Sequence, residues 1–448
     1  MHGVRLSRWS MSYFTVAIVS LLLAELLWAS GLGNPLQHLG NPWVLAGVHL
    51  TTIGFLTVII MGALHQFVPV LTKTELASQG WSGVSLGSIV VGLAGMVLGF
   101  LALPGGVIAE NTWLLPAGGA LVVAGAVIAA INLGVTLKRA WPWQLPAWLV
   151  ASGLFYLVVT VLAGLVLALS LTVPQLFTQS QLMVIGNRGL ESHIVGGVIG
   201  WLTLTVMGVS YKLLAMFTLS DEHRGLLGWI AYIAAAVGIT ETWVCRWAGL
   251  NIPANIGWFV TLAGLSMYLL DMRRLYQQRK RRHLELNARY GVIPLMILAV
   301  LIVGSLNVLF DSSRSRLDVA LVFLALYGWL GGMALTQLYK IIPFLAWINR
   351  FGSRMGKQKT PRVQDLVNEL RDHYAYIVYF IAIILATGFL LTGWFPGFRL
   401  AMAAAFLATI DIARALYRAA HSPATALGAQ PEQKTKSQDR APWRIPTH

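Results

Sequence analysis

Five side chains able to do chemistry stand inside long apolar stretches of this sequence: His49, His65, His193, Glu25 and Glu241. An ionisable group in such a setting is costly and is a functional candidate by default. A neutral imidazole can ligate a transition metal, so His49, His193 and His65 are the candidate metal ligands. The alternative for His49 is a core histidine hydrogen-bonded to a neighbouring carbonyl. For His193 it is an interfacial polar helix end. His65 stands close to Lys73, which fits a side chain snorkelling to the membrane surface. Glu25 has no local partner and could hold a proton, bind a cation or sit neutral in a bundle. Glu241 lies five residues from Arg246, an obvious ion-pair partner, and Glu191 lies near Arg188. Asp271 beside Arg273 and Arg274, and Asp411 near Arg414 and Arg418, read as ion pairs at a membrane edge.

The elements that position these residues are membrane helices. Of the 448 residues 57% are hydrophobic and 11% charged, against about 25% charged in soluble domains. That composition excludes a soluble enzyme, a disordered chain and a secreted disulfide scaffold. Cys245 is the single cysteine, so no internal disulfide forms. A spanning helix needs about 20 apolar residues. Twelve such runs occur, near 12–32, 44–71, 84–105, 113–137, 146–173, 190–217, 227–247, 253–272, 290–310, 317–348, 374–394 and 397–419. The expected fold is therefore an all-α integral membrane domain over residues 1–420. The Pro, Gln, Lys and Ser-rich segment 421–448 reads as a disordered cytoplasmic tail.

The net charge of +15 lies between the runs. Alternate connecting segments split the Lys and Arg residues 27 against 5, the minority being Arg188, Arg246, Arg314, Arg316 and Arg399. By the positive-inside rule both termini face the cytoplasm of a bacterial-type inner membrane. The cluster Arg279 to Arg282 fits lipid headgroups, and no nucleic-acid partner is expected. Residues 1–31 have the form of a signal peptide, a segment that polytopic chains retain as their first helix. Thr360 and Pro361 signal the start of a short surface helix over 360–372, with Val363, Leu366, Val367 and Leu370 as its apolar stripe.

The chain repeats itself. Span 2 carries Gly54-Phe55-Leu56, Met61-Gly62 and His65 to Pro69. Span 6 carries Gly200-Trp201-Leu202, Met207-Gly208 and Tyr211 to Ala215. Span 10 carries Gly328-Trp329-Leu330 and Tyr339 to Pro343. In each, the ring after the glycine lies ten residues before His65, Tyr211 or Tyr339. A match in every fourth span predicts three quasi-repeated four-helix arcs about a pseudo-threefold axis, near residues 1–140, 141–275 and 276–420. Small-residue positions such as Gly92, Gly95 and Gly99, and Gly196, Gly197 and Gly200, predict close helix packing.

This pattern resembles the core subunit of the haem–copper oxidase superfamily, and span 2 is most similar to its C-type oxidase and nitric oxide reductase branches. There a haem-ligating histidine is followed, some four turns later, by Gly-Ala-x-Tyr-Tyr-x-Val-Pro. Here His49 is followed by Gly62-Ala63-Leu64-His65-Gln66-Phe67-Val68-Pro69. The resemblance covers nearly the whole chain as architecture and is specific as motif only in spans 2, 6 and 10. It implies that His49 is the span-2 ligand of a low-spin haem, about six residues or roughly 9 Å inside the outer boundary. It places His193 near the family's span-6 copper ligand, and His65 where the family has a tyrosine.

The departures limit what carries over. The family's span 10 has two haem-ligating histidines, where this chain reads Leu321 to Tyr327 with none. The family's span 7 has an adjacent histidine pair for copper, and Gly228 to Arg246 has none; His223 precedes that span on the cytoplasmic side. The resemblance thus implies at most one haem, of b type, without a copper site, and no oxygen or nitric oxide reduction. The second axial ligand is open: His193, which the family arrangement sets apart from span 2, or Met333 in span 10, or none, leaving a gas-binding iron. The expected function is electron transfer, diatomic-gas sensing or support of a respiratory or denitrification system, with other respiratory membrane subunits or a cytochrome as partners. The alternative is a cofactor-free transporter, channel or assembly partner on the same fold, using Glu25, Glu241 and the histidines. No nucleotide-binding loop, HExxH or CxxC motif is present.

Overall fold

In a computed structural model, residues 8–37, 40–108, 111–221, 225–306, 316–355, 357 and 360–421 are described. The tail from 422, Arg5, Glu110, His223, Arg224 and Arg314 lie outside them. Twelve helices are long and apolar enough to cross a bilayer. They are α1 (Ser10–Ser30), α2 (Pro42–Thr72), α3 (Gln79–Leu101), α4 (Leu114–Lys138), α5 (Leu145–Thr172) and α6 (Gln179–Thr218). The second half is α7 (Leu226–Ala248), α8 (Asn251–Gln277), α9 (Leu286–Ser305), α10 (Arg316–Arg354), α11 (Glu369–Thr392) and α12 (Phe395–His421). The sequence placed all twelve, but α6 starts eleven residues before the expected 190. Where a surface helix was expected over 360–372, the structure has a single tight turn at Val363–Leu366, and α11 begins at Glu369. Asn368 caps α11 by accepting from Arg371 N at 3.2 Å, which moves the start into the predicted stripe and leaves Leu370 exposed.

Local signals fix the other ends. Asn41 Oδ1 accepts from Trp43 N at 3.0 Å and Val44 N at 3.3 Å, with Pro42 in the first turn of α2. Thr178 forms a capping box with Gln181 at the start of α6. On α1 the apolar Val19, Leu23 and Leu26 face outward while Ser20 and Glu25 are buried, the distribution lipid selects. Neighbouring helices approach closely where side chains are small. A Cβ at Gly118 would lie 2.5 Å from Gly92 O, and one at Gly99 2.3 Å from Leu115 N, so α3 and α4 meet backbone to backbone. Gly238, Gly257 and Gly264 do the same for α7 and α8.

The basic loops lie on one face. On the other face α1, α7 and α11 each end in a glycine at positive φ, namely Gly31, Gly249 and Gly393. An arginine meets each of these ends. Arg399 donates to Ala29 O at 3.2 Å and Ser30 O at 2.9 Å. Arg316 donates to Thr392 O at 3.1 Å, and the Arg188 guanidinium lies against Gly249. Three of the five arginines assigned to that face thus neutralise negative helix ends.

Consecutive helices pack side by side and α12 closes on α1, with α2, α6 and α10 the most buried. Each of these three central helices widens into an eight-residue π-helical stretch: Leu50–Thr57, Gly196–Thr203 and Leu324–Gly331. Every stretch begins four residues before its glycine, Gly54, Gly200 or Gly328. The stretches touch in rotation. Trp201 Nε1 donates to Thr57 Oγ1 at 3.0 Å, and Trp329 Nε1 donates to Thr203 Oγ1 at 3.4 Å. At the third joint Phe55 replaces the indole and Gly331 the threonine, and the phenyl edge lies against the glycine. Towards the basic face the same helices enclose an apolar cavity of about 60 Å³, lined by Ile59, Ala63, Ser210, Met333, Gln337 and neighbours.

Candidate functional site: a histidine pair in an apolar cleft

His49 ends the first α-helical turns of α2, directly before its π stretch. Its Nδ1 lies 2.7 Å from Leu45 O. A carbonyl only accepts, so Nδ1 carries the proton and Nε2 keeps its lone pair. His193 on α6 repeats this: Nδ1 lies 3.0 Å from Thr160 O on α5. Its ring fills the space left by Gly164, where a Cβ would lie 2.9 Å from Cε1. Neither Nε2 makes a hydrogen bond, and neither is sealed by protein, whereas both ring nitrogens of His65 are.

The two imidazoles lie within reach of each other's charge. The His49 ring packs on Phe100 of α3 with centroids 4.7 Å apart. Phe100 belongs to a satellite apolar cluster with Met96, Leu103, Leu115 and Ala168, against which Leu45, Ile53 and Val161 pack. Leu45 and Ile53 flank His49 by one turn on either side, and Val161 adjoins Thr160. His49 thus packs on α3 through Phe100, His193 is held on α5 by Thr160 beside Gly164, and the satellite cluster lies between α2, α3 and α5. Each imidazole has a fixed tautomer and an unbonded Nε2, the form that ligates a transition metal or haem iron.

The other candidates lie elsewhere. Met333 accepts a long contact from Gln337 Nε2 at 3.6 Å and lines the axial cavity. The α10 residue in register with His49 is Phe323, ten residues earlier, so Met333 sits ~15 Å along the helix. His65 is fully buried rather than snorkelling, with its ring 5.0 Å from that of Tyr13. Among the described residues no three His, Cys, Asp or Glu side chains cluster as metal ligands. Aromatic rings fill the gap between α2 and α10, where the resemblance would place a low-spin haem. Tyr327 stacks on Phe323 at 4.7 Å, and Phe398 packs on Phe323 at 5.5 Å and Trp28 at 6.5 Å. Trp28 Nε1 donates to Tyr327 OH at 2.7 Å. Thr51 gives its one proton to Gly47 O, so Tyr327 donates to Thr51 across 2.7 Å.

The carboxylates divide. Glu25 is fully buried; Oε1 accepts from Thr409 Oγ1 at 3.0 Å and Oε2 has no partner. Glu241 is half-buried on α7 and its expected partner is taken: Arg246 pairs with Glu191 at 3.0 Å and donates to Asn255 at 2.8 Å. Arg246 thus reaches α6 and α8 instead of folding back on its own helix. Asp271, expected to pair with Arg273 and Arg274, is buried beside Tyr211. Asp411 pairs with Arg414 at 3.0 Å as expected. No protein-family model matches the chain, and no curated protein matches it.

Proposed function

We propose that this chain is a haem-binding membrane protein built on an oxidase-subunit-I-like plan, with His49 and His193 as the residues that would hold the haem and electron transfer as its role. The observation that carries the reading is the two imidazoles themselves: each is tautomer-fixed with an unbonded Nε2, His49 packed on the satellite cluster through Phe100 and His193 held by Thr160 next to Val161 of the same cluster. When bound, a b-type haem supplies reversible one-electron transfer. The chain's own residues do the rest. Leu45 and Thr160 carbonyls orient the rings, Gly164 leaves room for one, and Phe100 with the satellite cluster excludes water. The threefold repeat belongs to the same reading and is supported by the matched π stretches and their rotating Trp–Thr contacts. So does an orientation with the basic face in the cytoplasm of a bacterial-type inner membrane. Electron partners would be other respiratory membrane subunits or a cytochrome.

The test is an oxidised and a dithionite-reduced absorption spectrum of detergent-purified protein, with a pyridine haemochrome count. A sharp reduced α-band and about one haem per chain are expected. His49→Ala and His193→Ala should each abolish it, while Met333→Leu and His65→Gln leave it. Colourless protein from haem-replete cells would sink the reading. A broad band that shifts with carbon monoxide would instead make the iron five-coordinate.

A further inference from the structure

We propose that Glu25 is a membrane-embedded proton-binding site: a neutral carboxylic acid whose proton sits on Oε2, with Thr409 holding Oε1. The proposal rests on the surroundings of Glu25 and not on the haem reading. The side chain is fully buried in α1, within a bundle whose outer surface meets lipid. Among the described residues no Lys, Arg or His pairs with it. On α12, Arg399 is committed to the Ala29 and Ser30 carbonyls and Arg414 to Asp411.

The groups facing Glu25 come from each neighbouring helix. Thr409 on α12 donates to it. Tyr327 on α10 and Tyr379 on α11 lie within electrostatic reach. The Tyr327 hydroxyl is already committed to Thr51, and Tyr379 donates to Tyr327 O at 2.9 Å. On α2, Ser20 meets Gly54 and Trp28 meets Gly47, so Glu25 lies level with residues near Thr51. None of these groups is a cation. An unpaired carboxylate in such a place costs several kcal/mol, and the group neutralises instead. A metal ion does not answer the need. Thr409 Oγ1 is the one side-chain oxygen bonded to the carboxyl, whereas hard cations take six or more oxygens. A proton needs only Oε2.

The experiment is infrared spectroscopy of the full chain in lipid vesicles, in H2O and D2O. A carboxylic-acid C=O band is expected at neutral pH. It should shift in D2O, disappear in Glu25→Gln and persist in Glu241→Gln. Thr409→Val should keep the band and move it to higher frequency, because the C=O oxygen loses its donor. This arm stands if Glu25→Gln does not fold. Absence of the band, its retention in Glu25→Gln, no change in Thr409→Val, or its loss on adding sodium would each overturn the assignment. The colour of the protein is irrelevant to this readout, so failure here and failure of the haem reading are separate results.

Discussion

Glu285, at the foot of α9 on the basic face, shows how strongly one residue can depend on its company. Its carboxylate meets Lys340 Nζ at 2.5 Å and Gln364 Nε2 at 2.8 Å, and also pairs with Arg281. Burial alone would raise the pKa of this acid; Lys340, Gln364 and Arg281 together outweigh burial and hold it below the usual carboxylate range. The folded-state pKa is therefore the lower one. The stabilisation is present above the unfolded glutamate range, about pH 4.3, and fades as pH falls below it. Glu285→Gln should lower stability by about 1–3 kcal/mol at neutral pH. In thermal unfolding followed against pH, that difference should shrink towards zero in acid. The loop between α10 and α11, tied here through Gln364, should loosen with it. At the same scale, the position of His49 and Glu25 within apolar helices was legible in the sequence. Their partners were not: Thr160, Leu45 and Thr409 carry no signal until helices are packed.

Among the elements, the contact of α3 with α4 is the tightest to read. Gly92 and Gly118 face each other so closely that neither tolerates a Cβ. Gly118→Ala should force the helices apart and cost about 1–3 kcal/mol. The effect is measurable as a drop in detergent unfolding temperature, and Gly87→Ala, which meets nothing within 4 Å, serves as the silent control. Helix positions were readable because a bilayer demands unbroken apolar runs, and each run here is bounded by charge, proline or glycine. The segment near 360 was misread because its apolar residues belong to two structures, a tight turn at Val363–Leu366 and the start of α11. The winding of α2 and α6 beside His49 and His193 was hidden for another reason. Helices α2 and α6 change their winding beside those residues, and composition does not announce a π stretch. Gly164→Ala tests that geometry: its methyl would press on the His193 ring, and haem content should fall while the fold persists.

On the scale of the whole molecule, two of the three joints between the central helices are hydrogen-bonded and the third, Phe55 on Gly331, is not. Trp201→Phe and Trp329→Phe should each cost about 0.5–1.5 kcal/mol, and Phe55→Leu should cost no hydrogen bond. A comparison of the three unfolding temperatures checks this. The bundle also closes between its first and last helices. Arg399 holds the end of α1 across 370 residues of chain, and Thr409 reaches Glu25 across 384. A ribosome adding about 5–20 residues per second needs roughly 20–75 s to cover that interval. For all that time the first helix waits in the membrane with its last carbonyls uncapped and its acid without the threonine. Synthesis of α12 is thus the event that completes α1, and a nascent protein stopped before α12 would present an unfinished α1 to any quality-control protease in the bilayer.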